Sequence, residues 1–198
     1  MINIVICIFL SFLYCLTQHL IKCFKIKVLT ENHVYIWSFI VIMLSLIYSD
    51  SLIRNASFNV LNYHVLKDIA LPVVASVIIA RFSGYISGNR KYNINFIIVF
   101  PIIEEILFRG IILQLLLHVS FLGETASCVF CGVLFGIMHF QYFGFNKEAA
   151  KKVIIAFLGG YYFSIIAVSY GSIIPVIILH IVFNLSAVLF DKNIKHAK

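Results

Sequence analysis

Charge is what this sequence has least of. Among 198 residues there are fifteen lysines and arginines and eight acids, 12% in all, where a soluble domain carries about a quarter. Hydrophobic residues make up 62% and the mean hydropathy is +1.04. A soluble globular fold is excluded by that balance, and an integral membrane protein is the expectation. Proline is also scarce, with three in the chain, and no low-complexity linker occurs. One membrane domain without a soluble appendage follows. The apolar runs do not alternate with period two, which argues against a transmembrane barrel. No internal repeat is evident. The net charge of +7 would suggest nucleic acid only if the basic residues shared a soluble face. They lie between apolar runs instead, so they set membrane topology and nucleic acid is excluded as a partner.

Five cysteines are present: Cys7, Cys15, Cys23, Cys128 and Cys131. An odd number, mostly inside apolar runs, is no disulfide framework. Cys128 and Cys131 have redox spacing, but no thioredoxin-like context and no neighbouring cation to make a thiolate. They read as small buried apolar residues. The run from Ile2 to Leu16 has no lysine or arginine before it and no small-residue cleavage site after it. It is expected to stay as a first span.

A span needs about 20 mostly apolar residues. Seven segments qualify, near 2–21, 34–49, 69–82, 94–118, 124–140, 153–169 and 172–190. A re-entrant piece near Phe58 to Val65 stays open. Basic residues in the connecting segments test the count. Lys22, Lys25 and Lys27, then Arg81, Arg90 and Lys91, then Lys147, Lys151 and Lys152, then Lys192, Lys195 and Lys198 all fall on one side. The other side holds only Arg54 and Lys67. Twelve against two places the N-terminus outside and the C-terminus in the cytoplasm. The expected fold is all-α, a polytopic membrane helix bundle of about seven transmembrane helices, N-out and C-in. Its parts are N-terminal helices over 1–93, a motif-bearing core over 94–190 and a cytoplasmic tail over 191–198.

The fifteenth basic residue, Arg109, lies inside a span, in the stretch FPIIEEILFRG. At 1.5 Å per residue Glu104 is about 16 Å along its helix, near the bilayer middle. A charged group there costs roughly 2.5–3.5 kcal/mol on insertion scales, so such residues pair or line a wet cavity. Pro101 is expected to kink the helix or loosen its hydrogen bonds. Glu105 and Arg109 are four apart on one face, acid before base, and can pair within the helix. Glu104 is turned about 100° away and is left to face something else. Later spans carry Phe135 and His139, then His180 and Asn184 four apart on one helical face. His180 is again near mid-membrane, while His139 is nearer the cytoplasmic end, so a shared cavity should open to that side. His118 reads as interfacial.

Two glutamates, two histidines and an asparagine on three helices permit hydrolysis without a covalent nucleophile. A glutamate beside a histidine can deprotonate a water, and a histidine with an amide can donate to an oxyanion. No strained G-x-S-x-G context supplies a serine nucleophile. Zinc on Glu104, His139 and His180, with water in the fourth position, is the rival; no H-E-x-x-H motif accompanies it, so the zinc case rests on ligand type alone. A proton relay through the same groups ranks lower, because paired broken helices are not evident.

These motifs, Glu104-Glu105-x-x-x-Arg109, Phe135-x-x-x-His139 and His180-x-x-x-Asn184, resemble in order those of the CPBP family. That family contains the CAAX prenyl endopeptidases and the bacteriocin-processing or self-immunity (Abi) proteins. The resemblance covers about residues 94 to 190. It implies a glutamic intramembrane endopeptidase that works without a metal. Glu104 and His139 would activate water, His180 and Asn184 would form the oxyanion hole, and Glu105, Arg109 and Phe135 would support the site. The short chain looks more like the family's bacterial branch, which implies a multi-pass protein of the plasma membrane. Partners would be the lipid bilayer and a membrane-associated peptide or protein substrate, such as a bacteriocin or pheromone precursor. The alternative is a self-immunity or scaffold protein that binds without cutting.

Overall fold

The computed structural model describes residues 1–25, 27–48, 63–81, 89–143 and 146–190. Most of the proposed re-entrant piece, Arg54 and the tail 191–198 lie outside these residues. Among the described residues all regular elements are helices. They are α1 (Ile2–Ser11), α2 (Leu13–Cys23), α3 (Lys27–Glu31), α4 (His33–Ile47), α5 (Tyr63–Ala80), α6 (90–117), α7 (Glu124–Met138), α8 (Phe140–Phe143), α9 (Lys147–Tyr170) and α10 (Ile174–Leu189). Each of the seven apolar segments has a helix. One helix, over Ala149–Tyr170, is by itself long and apolar enough to cross a membrane, and α1 with α2 passes the same test as a bent pair. The helices α4, α7 and α10 are apolar but shorter.

Several helices start earlier than their apolar runs. Asn146 accepts a hydrogen bond from the Ala149 N–H at 2.8 Å, and Asn89 accepts one from the Tyr92 N–H at 2.9 Å. Each side chain satisfies an orphan donor of a helical first turn. Capping therefore draws Lys147, Lys151 and Lys152 into α9, and Arg90 and Lys91 into α6, although all five were expected in loops. Lys67 likewise lies within α5. The helix α9 stops at Gly171, whose φ of +59° is left-handed. Gly171 N–H donates to Val168 O and Ser172 N–H to Ala167 O, both at 3.1 Å, a Schellman ending. Pro175 in the first turn of α10 costs no helical bond.

The expected first span is broken. Between α1 and α2 the chain bends by 57° at Phe12. The helix α6 is continuous but contains two wide π-helical stretches, at Asn95–Val99 and Ile106–Ile112. Such turns are frequent at functional sites. The first has a local cause in Pro101. Phe100 N–H donates to Asn95 O across the wide turn. The next bond in that register would come from residue 101, which has no N–H.

Packing is centred on α6, whose Leu107, Phe108, Ile111, Ile112, Leu113 and Leu116 are buried. The helix α7 lies along α9, and α10 lies along α5. The α7–α9 crossing is close because it is built on glycine. A Cβ at position 132 would stand 2.7 Å from Tyr161 N, and one at 160 would stand 3.2 Å from Gly132 Cα. The outward faces are apolar, with Val5, Phe9, Phe39, Leu46, Val74 and Ile154 exposed.

Candidate active site

The site is assembled from α6, the end of α7, and α10. Glu105 and Arg109 are both 0% exposed. Arg109 Nη1 donates to Glu105 Oε1 at 3.1 Å and lies 3.0 Å from Oε2. The four-residue spacing thus forms the expected pair. Arg109 Nη2 donates to Gly160 O at 2.8 Å. The guanidinium also sits over the rings of Phe135 at 4.6 Å and Phe163 at 5.6 Å, a cation–π arrangement. Paired, hydrogen-bonded and stacked, it meets the conditions under which a buried cation is tolerated.

Glu105 has a further partner that helical spacing could not reveal. His180 Nδ1 stands 2.8 Å from Glu105 Oε1, and His180 Nε2 stands 3.7 Å from Glu104 Oε2. One imidazole from α10 therefore bridges two adjacent glutamates of α6. Its ring packs between Phe135 at 5.9 Å and Phe163 at 5.7 Å, measured between centroids. His139 caps the end of α7, with Nδ1 2.8 Å from Phe135 O and its ring 4.9 Å from the Phe135 ring. Phe135 thus touches Arg109 and both histidines. That explains an aromatic at the head of the second motif.

Asn184 is set by the first wide turn of α6. Its Nδ2 donates to Phe96 O at 2.7 Å, the carbonyl for which Pro101 offers no N–H. This engages one of the two amide hydrogens that an oxyanion role would draw on. The other remains for the cavity.

That cavity has a volume of about 690 Å³ and is bounded by α2, α5, α6, the end of α7 with α8, α9 and α10. Glu104, Phe135, His139, His180 and Asn184 all line it, whereas Glu105 and Arg109 do not. The structure therefore separates the glutamates as their 100° offset predicts. Glu104 faces the cavity, and Glu105 is sealed behind it with the arginine. The remaining walls are apolar, including Leu71, Ile79, Ile155 and Phe183, with Tyr14, Gln18, Tyr92, Gln141 and Lys152 as polar additions. Among the described residues no three His, Cys, Asp or Glu side chains are grouped to hold a metal ion. Cys7, Cys128 and Cys131 are buried, and Cys15 and Cys23 are exposed. Two of the thiols point at π-turn carbonyls, Cys131 Sγ at Phe108 O (3.4 Å) and Cys7 Sγ at Ile112 O (3.6 Å). His118 Nδ1 lies 2.8 Å from Gln114 O, away from the cavity residues.

Sequence reading missed Gly132, Gly136 and Gly160. The signal was present, because Gly132-x-x-x-Gly136 is the small-residue spacing of close membrane helix pairs. The crossing it permits brings the Gly160 carbonyl to Arg109.

Residues 91–186 match the family described as type II CAAX prenyl endopeptidase Rce1-like. All three motifs lie within those residues. The description of that family is of an endopeptidase, a hydrolase of peptide bonds, and the match spans just under half of the chain. No significant match was found among curated proteins or among solved structures.

Proposed function

We propose, from the premise that residues 91–186 belong to the Rce1-like family, that this chain is a glutamic intramembrane endopeptidase. It hydrolyses membrane-associated peptides or protein tails with a water held by Glu104 and His139. The observation that carries this reading is the cavity lined by Glu104, His139, His180 and Asn184 together, with Glu105 and Arg109 behind it. Glu104 takes a proton from water as the oxygen attacks the scissile carbonyl. The tetrahedral oxyanion receives hydrogen bonds from His180 Nε2 and the second Asn184 amide hydrogen. Glu104 then returns the proton to the leaving amine. General base catalysis contributes typically 10²–10⁴-fold, and loss of one oxyanion donor costs about 10²–10³-fold.

The same proposal includes a multi-pass placement in a bacterial plasma membrane, with seven spans, the N-terminus outside and no metal. The exposed apolar faces and the basic-residue asymmetry support it. Purified wild type would be incubated in liposomes with a library of membrane-associated peptides, with and without chelator, and products read by mass spectrometry. Cleavage indifferent to chelator is expected. Loss of cleavage with chelator would overturn metal independence. A wild type that cuts no peptide but binds a bacteriocin and protects cells would favour the immunity reading.

A further inference from the structure

The bend between α1 and α2 is held by a side chain from elsewhere in the chain. In an unbroken α-helix the Cys15 N–H would donate to Ser11 O, four residues back. Here Cys15 N–H donates to Gln141 Oε1 at 3.0 Å, and Gln141 Nε2 donates to Ser11 O at 2.9 Å. The primary amide has inserted itself into one missing backbone bond and satisfied both orphaned groups. Insertion of a side chain into the helical ladder is a recognised cause of a sharp kink.

Gln141 follows His139 by two residues, on α8, and lines the cavity. The helix it holds, α2, contributes Tyr14 and Gln18 to the facing wall. On the other side of the bend α1 is anchored independently. Asn3 Nδ2 donates to Leu115 O at 3.2 Å, and Cys7 Sγ points at Ile112 O. With α1 fixed to α6, the inserted amide sets the direction in which α2 leaves, and so the distance between the Tyr14 wall and the His139 end.

We infer that Gln141 is a positioning residue that sets the shape of the active-site cavity by keeping α1 and α2 apart. Without it the broken pair has an alternative partner, each other. Closing the Cys15–Ser11 bond straightens the two helices into one and swings Tyr14 and Gln18 away from His139. The bend is then one of two discrete arrangements, and the amide tips the balance beside the Tyr14 contacts to His33 (2.7 Å) and Trp37 (5.3 Å between centroids).

The full-length protein would carry spin labels on unnatural amino acids at Ile2 and Lys22, both exposed. These leave the native cysteines alone. Ten residues on each side of Phe12, bent by 57°, separate the labelled backbones by about 26 Å, against about 30 Å when straight. Gln141→Leu is expected to lengthen the distance by about 4 Å and to lower kcat/KM about ten- to a hundredfold. The double variant Gln141→Leu with Cys15→Pro removes the N–H needed for straightening, and the proline ring collides with the Ser11 carbonyl. It should restore the short distance and most of the activity, a rescue that lost packing alone would not show. An unchanged distance in Gln141→Leu, or a long distance that persists in the double variant, overturns the inference. The activity arm rests on the proposed proteolysis and the distance arm does not. A wild type without cleavage would therefore count against the former alone.

Discussion

Arg109 is the residue on which the buried half of the site depends. Its guanidinium joins Glu105, the Gly160 carbonyl and the faces of Phe135 and Phe163, so three helices meet at one side chain. Arg109→Ala leaves Glu105 buried with His180 as its remaining polar partner. Breaking a buried pair from one side costs about 3–5 kcal/mol, a large share of the roughly 5–15 kcal/mol that holds a typical fold. Arg109→Ala should therefore accumulate poorly and melt early in detergent. Arg109→Lys should fall between the two, because an ammonium lacks the planar fork. Normal accumulation and melting of the alanine variant would show that the arginine is not structural. At this scale much was legible in the sequence. The Glu105–Arg109 pair and the outward turn of Glu104 follow from helical spacing alone. The His180–Glu105 contact does not, because spacing says nothing about which helices are neighbours. Asn184 was legible as a cavity amide but not as the partner of Phe96 O, since that bond depends on a wide turn whose hydrogen bonding spacing does not specify.

At the scale of elements the α7–α9 crossing fixes the site. Gly132→Ala gains about 1 kcal/mol of helix propensity but places a Cβ 2.7 Å from Tyr161 N, a backbone atom that cannot rotate away. Overpacking costs typically 1–3 kcal/mol, so the clash outweighs the gain. The helices should separate and withdraw the Gly160 carbonyl from Arg109. The expected outcome is a lower melting temperature with a weaker or absent cleavage. Wild-type melting in this variant would mean that the crossing is looser than described. Helix existence was readable here, because every long apolar run became helical, the first as a bent pair. Helix beginnings were not, because Asn89 and Asn146 extend α6 and α9 past their apolar runs into charged residues. The break at Phe12 was hidden for another reason. No proline or glycine marks it, and its cause, Gln141, lies far along the chain.

For the whole molecule, the arrangement is a division of labour between two adjacent glutamates in an apolar environment. One faces a cavity of about 690 Å³ and the other is sealed in a buried network. The all-helical class was legible from composition, since 62% hydrophobic residues without alternation leave few alternatives. A shared cavity was expected from the motif residues, but its full outline was not legible, because its walls come from α2 and α5 as well as from the motif helices. Those early helices carry no motif, yet they complete the chamber in which the proposed chemistry takes place. The most direct measurement compares Glu104→Gln with Glu105→Gln, reading thermal unfolding and peptide cleavage on the same preparations. Glu104→Gln should unfold like wild type and cleave at least a hundredfold more slowly. Glu105→Gln should unfold at a clearly lower temperature, because Arg109 loses its counter-charge. Cleavage by Glu104→Gln at the wild-type rate would contradict the account.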